Sequence, residues 1–152
     1  MRGRRLSSIL LPAVADNQIR GLKLPAYLFA IIAIVSTVRS CIHIFAPDGG
    51  AGSIAGMDLS VAGANGIVFA FALWGSAQLV YAIVQLAVAF RYRSLIPVMY
   101  LLLIFETILR IFVGRTKPVT FSHTPPGAYG NYVILPLAIV MFALCFVRPR
   151  AA

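Results

Sequence analysis

Four apolar stretches, at residues 24–45, 67–90, 95–113 and 131–147, take up most of this 152-residue chain. Each is close to the roughly 17–25 residues that cross a hydrocarbon core of about 30 Å. A run of that length in a bilayer has to satisfy its own backbone, which an α-helix does. Composition agrees: 61% of the residues are hydrophobic and 11% charged, against about 45–50% and about 25% in soluble domains. The sequence therefore predicts an all-α integral membrane protein, an antiparallel bundle of four transmembrane helices, with no stretch left over for a separate soluble domain. Residues 1–23 are expected to be a basic amphipathic segment, broken at Pro12, lying on the cytoplasmic face. Residues 46–66 and 114–130 form outer loops, and 148–152 a cytoplasmic tail.

The formal charge of +9 invites comparison with nucleic-acid binders, but its distribution argues against that. Arg2, Arg4, Arg5, Arg20 and Lys23 precede the first span, Arg91 and Arg93 join the second to the third, and Arg148 and Arg150 follow the fourth. If the spans alternate, these nine cations share one side and only Arg115 and Lys117 lie on the other. Such an excess marks the cytoplasmic side, so both termini are expected inside, in a cell membrane of the bacterial inner-membrane kind. The basic tail then meets anionic lipid headgroups, at about 1 kcal/mol per cation near the surface. No nucleic-acid recognition motif accompanies it. A competing reading takes residues 1–15 as a signal peptide, a basic start leading to an Ala-Val-Ala site before Asp16; cleavage there would invert the charge bias. The Arg4–Arg5 pair resembles a twin-arginine export signal, but the first span already accounts for insertion.

The chemistry concentrates inside the apolar runs. Glu106 and Arg110 lie in the third span and Arg39 in the first. A charge near the bilayer centre costs roughly 2.5–3.5 kcal/mol on insertion scales, so it turns toward a partner or water. Glu106 falls near the midplane and Arg110 one turn outward, about 6 Å by helical rise. Arg39 falls at nearly the same depth on the first span, with His43 a turn further out and Ser36 and Ser40 beside the pair. Glu106 and Arg110 share a face at i,i+4, as do Arg39 and His43. In the second span Trp74, Gln78, Tyr81 and Gln85 step by four, three and four, forming one helical stripe. Buried amides and hydrogen-bonding aromatics need partners, so the stripe is expected to face Arg39, Glu106 and Arg110 around a polar pocket in the outer half.

The charge balance of that cluster is uneven. One Glu faces two Arg, and arginine stays protonated. The loop carboxylates Asp48 and Asp58 would close the balance from above, or an anionic or lipid-like ligand would, matching the guanidinium fork with phosphate or carboxylate. Two carboxylates fall short of a calcium site. The glycines of the first outer loop lack the strand and Lys of a nucleotide loop; the loop is expected to be flexible, with a short helix at 53–58. His43 reads as a satisfied polar residue or an acid–base group, and His43 with His123 as a weak two-histidine pair. No metal, cofactor or catalytic set is expected. Cys41 and Cys145 should lie on the order of 20 Å apart in depth, too far for a disulfide. Tyr129, Tyr132 and Trp74 read as interface or packing aromatics.

Packing features complete the expectation. Residues 91–94 are so short a link that spans two and three must be antiparallel neighbours. Pro97 sits in a first helical turn, where its missing N–H costs little, and Pro136 lies inside the fourth span. Gly75, Ala82 and Ala89 recur every seventh residue, and Ala26, Ala30 and Ala33 line span one; small residues of this kind let backbones approach, whether of another span or of a second copy. Three function classes follow. The chain is a ligand-binding, accessory or structural subunit, alone or in a homo-oligomer or larger membrane complex; or a small transporter or proton-coupled exchanger; or a membrane enzyme acting on a lipid-soluble substrate. The lack of any nucleophile–base pair favours the first, and Arg110 beside Glu106 weighs against proton coupling by keeping the carboxylate ionised.

Overall fold

The computed structural model describes residues 8–147. Among them all the regular structure is helical: α1 (Leu24–Phe45), α2 (Ala64–Phe90), a 3-10 turn (Arg93–Leu95), α3 (Ile96–Thr116) and α4 (Pro126–Leu144). Each of the four α-helices is long and apolar enough to cross a membrane. Prolines open three of them: a proline occupies the first turn of α1, α3 and α4, where an unbonded N–H is the rule and the fixed φ suits the helix. Gly63, at φ 88°, turns the chain into α2.

The helices do not stop where apolarity stops. α2 begins at Ala64, ahead of residue 67, and α3 runs past 113 to Thr116. There the Thr116 hydroxyl donates to the Phe112 carbonyl at 2.9 Å. α4 begins at Pro126 rather than 131 and ends at Leu144 rather than 147, continuing through Pro136. Hydropathy marks the residues suited to hydrocarbon, whereas the ends of a helix are set by where its backbone hydrogen bonding stops.

Packing is concentrated within two hairpins, α1 with α2 and α3 with α4. The seven-residue stripe of small residues explains the first. Gly75, Ala82 and Ala89 are buried, and a Cβ added at Gly75 would stand 2.6 Å from the His43 Cβ. The stripe thus meets α1, where Ala26 and Ala33 are also buried. α2 and α3, expected to be close neighbours, are joined through the 3-10 turn but pack together only lightly. The space between the hairpins is partly cavity instead.

The end of the bundle where α1 and α3 begin is closely packed. Phe29 and Tyr100 are fully buried, with Ala26, Val88, Ala89, Ile96, Met99, Leu103 and Met141 around them. The Phe29 and Tyr100 rings meet edge to face at 5.7 Å, and the Tyr100 hydroxyl donates to the Pro25 carbonyl at 2.8 Å, tying α3 to the first turn of α1. The segment before α1 is stitched to the same end. Ser94 donates through its hydroxyl to the Asp16 carbonyl and accepts from the Asp16 N–H, both at 2.9 Å. Gly21 lies against the Cys145 backbone, where any Cβ would overlap the carbonyl. After a helical stretch at residues 8–10, residues 11–23 are irregular and cross the bundle end as a strap; residues 1–7 lie outside the described ones, as does the tail at 148–152.

The loop between α1 and α2 is wound into tight turns, with no helix at 53–58. Gly49 and Gly50 take φ of 60° and 75° in succession and Gly56 one of 69°, a conformation open to glycine and strained for residues with a Cβ. The second loop is fastened to it. Ser122 donates its N–H to the Gly56 carbonyl at 2.8 Å, and His123 Nε2 lies 3.2 Å from the Ile54 carbonyl. His123 is therefore engaged by the Ile54 carbonyl of that loop, and His43 by the Gly49 carbonyl.

Candidate functional site

The light packing between the hairpins leaves a cavity of about 330 Å³ to which all four helices contribute. Its lining includes Arg39 from α1, Gln78, Tyr81 and Gln85 from α2, and Glu106 and Arg110 from α3. Six of the eight side chains expected to form a polar cluster thus line one space. They converge because the Gln78–Tyr81–Gln85 stripe, Arg39 and the Glu106–Arg110 pair each occupy the inward phase of their own helix. Trp74, the outermost member of the α2 stripe, stands one step away. It lines a more open cavity of about 620 Å³ with Leu109, Val113, Lys117 and Phe121, and Glu106 and Arg110 belong to the walls of both.

The polar contacts are incomplete. Arg110 Nε lies 3.8 Å from Glu106 Oε1, an ion-pair distance too long for a hydrogen bond. Arg39 has no carboxylate within 4 Å among the described residues, whose ion pairs are this one and the Asp16–Arg20 pair before α1. What holds Arg39 is α2. With the Gln78 amide turned to suit its neighbours, its oxygen accepts from Trp74 Nε1 at 3.0 Å and from Arg39 Nη2 at 3.3 Å. The guanidinium carbon also stands 5.8 Å from the centre of the Trp74 ring, within cation–π range. Buried Arg39 Nε, Arg110 Nε and Gln85 Oε1 have no hydrogen-bond partner. Gln85 is only 3% exposed, so its unpaired oxygen is the most sequestered of these. The site gathers two guanidinium groups, one carboxylate and two amides, with a formal excess of one positive charge and polar atoms left unmet.

His43 is placed elsewhere. It is buried, and its Nδ1 donates to the Gly49 carbonyl at 2.7 Å, which puts the ring proton on Nδ1. Its ring lies 5.1 Å from that of Trp74 and 5.6 Å from that of Phe71. The residue packs the C-terminal end of α1 against α2 and is not among the residues lining the cavity.

Neither loop carboxylate closes the charge balance. Asp48 Oδ1 accepts from Gly50 N–H at 2.8 Å and Oδ2 from Ser53 N–H at 2.6 Å. These backbone donors, Ser53 first and then Gly50, pull its pKa down from the ordinary 3.8 to about 2. Asp58 accepts from the N–H and hydroxyl of Ser60, and those bonds, the hydroxyl first, lower its pKa as well. Each carboxylate is consumed by the turn it sits in, because an Asx turn two residues away forms more readily than a bridge to another helix.

The apolar lining was not singled out from the sequence. Leu28, Ile31, Ile32 and Val35 line the cavity below Arg39, opposite Leu103, Ile134 and Leu137. Leu28, Ile32 and Val35 precede Arg39 by eleven, seven and four residues, so helical phase carried the signal, but an apolar residue in an apolar span does not declare whether it faces lipid or a cavity. Among the described residues no three His, Cys, Asp or Glu side chains converge as a metal site. Cys41 and Cys145 are free thiols. Comparison of the chain with protein-family models, with curated proteins and with solved structures gave no significant match.

Proposed function

We propose that this is an integral membrane protein, inserted with both termini in the cytoplasm, that binds an anionic group in the outer half of its four-helix bundle. Insertion is supported by the outward surface. Large apolar side chains such as Leu73, Val80, Ile83, Phe105, Phe112 and Val140 stand exposed along the helices, a continuous apolar exterior that water would not tolerate. Orientation is supported by charge. Arg20, Lys23, Arg91 and Arg93 flank the end stitched together by Asp16 and Ser94, while Arg115 and Lys117 close α3 at the other.

One observation carries the binding reading: Arg39 enters a shared cavity with Arg110, yet the only carboxylate there, Glu106, pairs with Arg110. A structural ion-pair network balances its charges, because an uncompensated ion in an apolar interior is strongly unfavourable. An anion between the two guanidinium groups supplies the missing balance. The dry inner half supports binding over passage, since Phe29 and Tyr100 fill the route toward the cytoplasmic end.

Native mass spectrometry of protein extracted in a mild non-ionic detergent is expected to show an anionic adduct on the wild type and none on Arg39→Gln. The thermal midpoint of the ligand-free variant should be no lower than that of the ligand-free wild type, because the half-buried Arg39 has no carboxylate partner to leave unpaired and its desolvation penalty is removed. Absence of an adduct together with a lowered midpoint for Arg39→Gln would reduce the cluster to a structural tie.

A further inference from the structure

Resting on the anion-binding reading, we infer that the cavity takes a single-chain anionic amphiphile, its phosphate or carboxylate head between Arg39 and Arg110 and its chain running inward along α1 past Val35 and Ile31 toward the lipid.

The shape and polarity of the cavity lead to this. Along α1 its lining extends from Leu28 to Ser40, about 18 Å by helical rise. That makes it a slot lying along the membrane normal rather than a compact chamber. Polarity changes along the slot. Arg39, Ser36, Gln78, Glu106 and Arg110 line its outer part, and Leu28, Ile31, Ile32, Leu103 and Leu137 its inner part, with the Gln85 amide as the polar exception there. A head facing outward with a chain pointing toward the midplane is the arrangement of an outer-leaflet lipid. A small hydrophilic anion would leave the inner half of the slot without an occupant of matching chemistry.

The slot also reaches the surface. Ile31 and Val35 line it while being 57% and 60% exposed, so one flank of the cavity is continuous with the lipid-facing side of α1. A volume of about 330 Å³ is at the low end for ligand sites. It suits a head and the first part of one chain, with the remainder lying along that flank. The site is distinct from ordinary lipid contact because of depth. Arg39 precedes the end of α1 at Phe45 by six residues, about 9 Å by helical rise, so a head held there sits well below the helix end. A second observation points to an occupant within the slot. Gln85 is almost fully buried in its inner part with an unpaired oxygen aimed at the lining, a group that a water held beside the chain would satisfy.

Trp74 is the only tryptophan in the chain and touches the Arg39 guanidinium and the Gln78 amide, so its fluorescence reports on the head position. The full-length protein in phosphatidylcholine nanodiscs is titrated with dodecyl phosphate, with inorganic phosphate and with the uncharged dodecanol. Dodecyl phosphate should give a saturable change at a concentration at least tenfold below that needed for either of the others. Arg39→Gln should raise its midpoint at least tenfold, and Arg39→Lys, which keeps the charge, by much less. A photoreactive alkyl phosphate with its label along the chain should mark the peptide holding Ile31 and Val35. Equal midpoints for dodecyl phosphate and inorganic phosphate would overturn the amphiphile while leaving an anion site in place. No response to either phosphate, or equal responses to dodecyl phosphate and dodecanol, would overturn both. Labelling confined to residues outside the slot would overturn the path assigned to the chain.

Discussion

At the scale of single residues, the side chains divide by what lies nearest to them along the chain. Arg39, Glu106 and Arg110 lie within their spans: Glu106 and Arg110 pair along α3, and Arg39 is held across helices by Gln78 and Trp74 of α2. His43 and Asp48 sit at the end of α1, and the loop claims both: His43 through the Gly49 carbonyl, Asp48 through the Gly50 and Ser53 amides. The Asp48 bonds make a direct prediction. Its folded-state pKa lies below the ordinary 3.8, at about 2, so the stabilisation it gives is complete above the ordinary value and is lost as pH falls from there through the folded value. Amide exchange at Gly50 and Ser53, referred to unprotected rates, should therefore lose protection over that window. Asp48→Ala should show the unprotected rate already at neutral pH, and unchanged protection in that variant would remove the carboxylate from its role. The deep charges were legible in the sequence because ionisable groups are rare in apolar runs. The fates of His43 and Asp48 were not, because they depend on the left-handed Gly49–Gly50 pair, whose geometry leaves no periodic trace.

Between elements, the governing fact is that α1 and α2 approach more closely than α2 and α3. A seven-residue spacing of small residues announces a close contact without naming the partner, since an α1 face and a second copy of the chain would select the same residues. The contact with His43 settles it at Gly75. A methyl group there meets the His43 Cβ at 2.6 Å and the backbone beyond it at 3.2 Å, so Gly75→Ala is expected to force the outer ends of α1 and α2 apart and to cost about 1–3 kcal/mol. Gly66, in the same helix, has nothing within 4 Å of an added Cβ, and Gly66→Ala is expected to stabilise by about 0.5–1 kcal/mol. Thermal midpoints of the two variants in one detergent should move in opposite directions; a fall of similar size in both would mean that α2 is not held by its small-residue face. Widening the α1–α2 contact also moves Trp74, so Gly75→Ala should shift the tryptophan emission where Gly66→Ala does not.

Across the whole molecule, two hairpins close at one end and part at the other. Ser94, Asp16, Gly21 and Cys145 bring the strap before α1, the α2–α3 link and the end of α4 together at the closed end. At the open end only the Ser122–Gly56 and His123–Ile54 contacts join the loops. This asymmetry could not be read from the short link at residues 91–94, which suggests that α2 and α3 stay together along their length, because a link constrains only the ends it joins. The distribution of cations was legible, since it depends on chain order alone, and it aligns with the asymmetry: the closed end carries Arg20, Lys23, Arg91 and Arg93. If cations are retained on the cytoplasmic side, the arginine-lined cavity opens away from the cytoplasm and receives its ligand from the outer leaflet. Single cysteines on a Cys41→Ser, Cys145→Ser background test this. With Lys117→Cys, a membrane-impermeant maleimide should label intact cells; with Arg91→Cys it should label only after permeabilisation. The reverse pattern would place both termini outside and turn the cavity toward the cytoplasmic leaflet. Labelling of both positions from outside in comparable amounts would mean that the nine cations flanking the spans do not fix a single orientation, and the outer-leaflet route to the cavity would lose its physical basis.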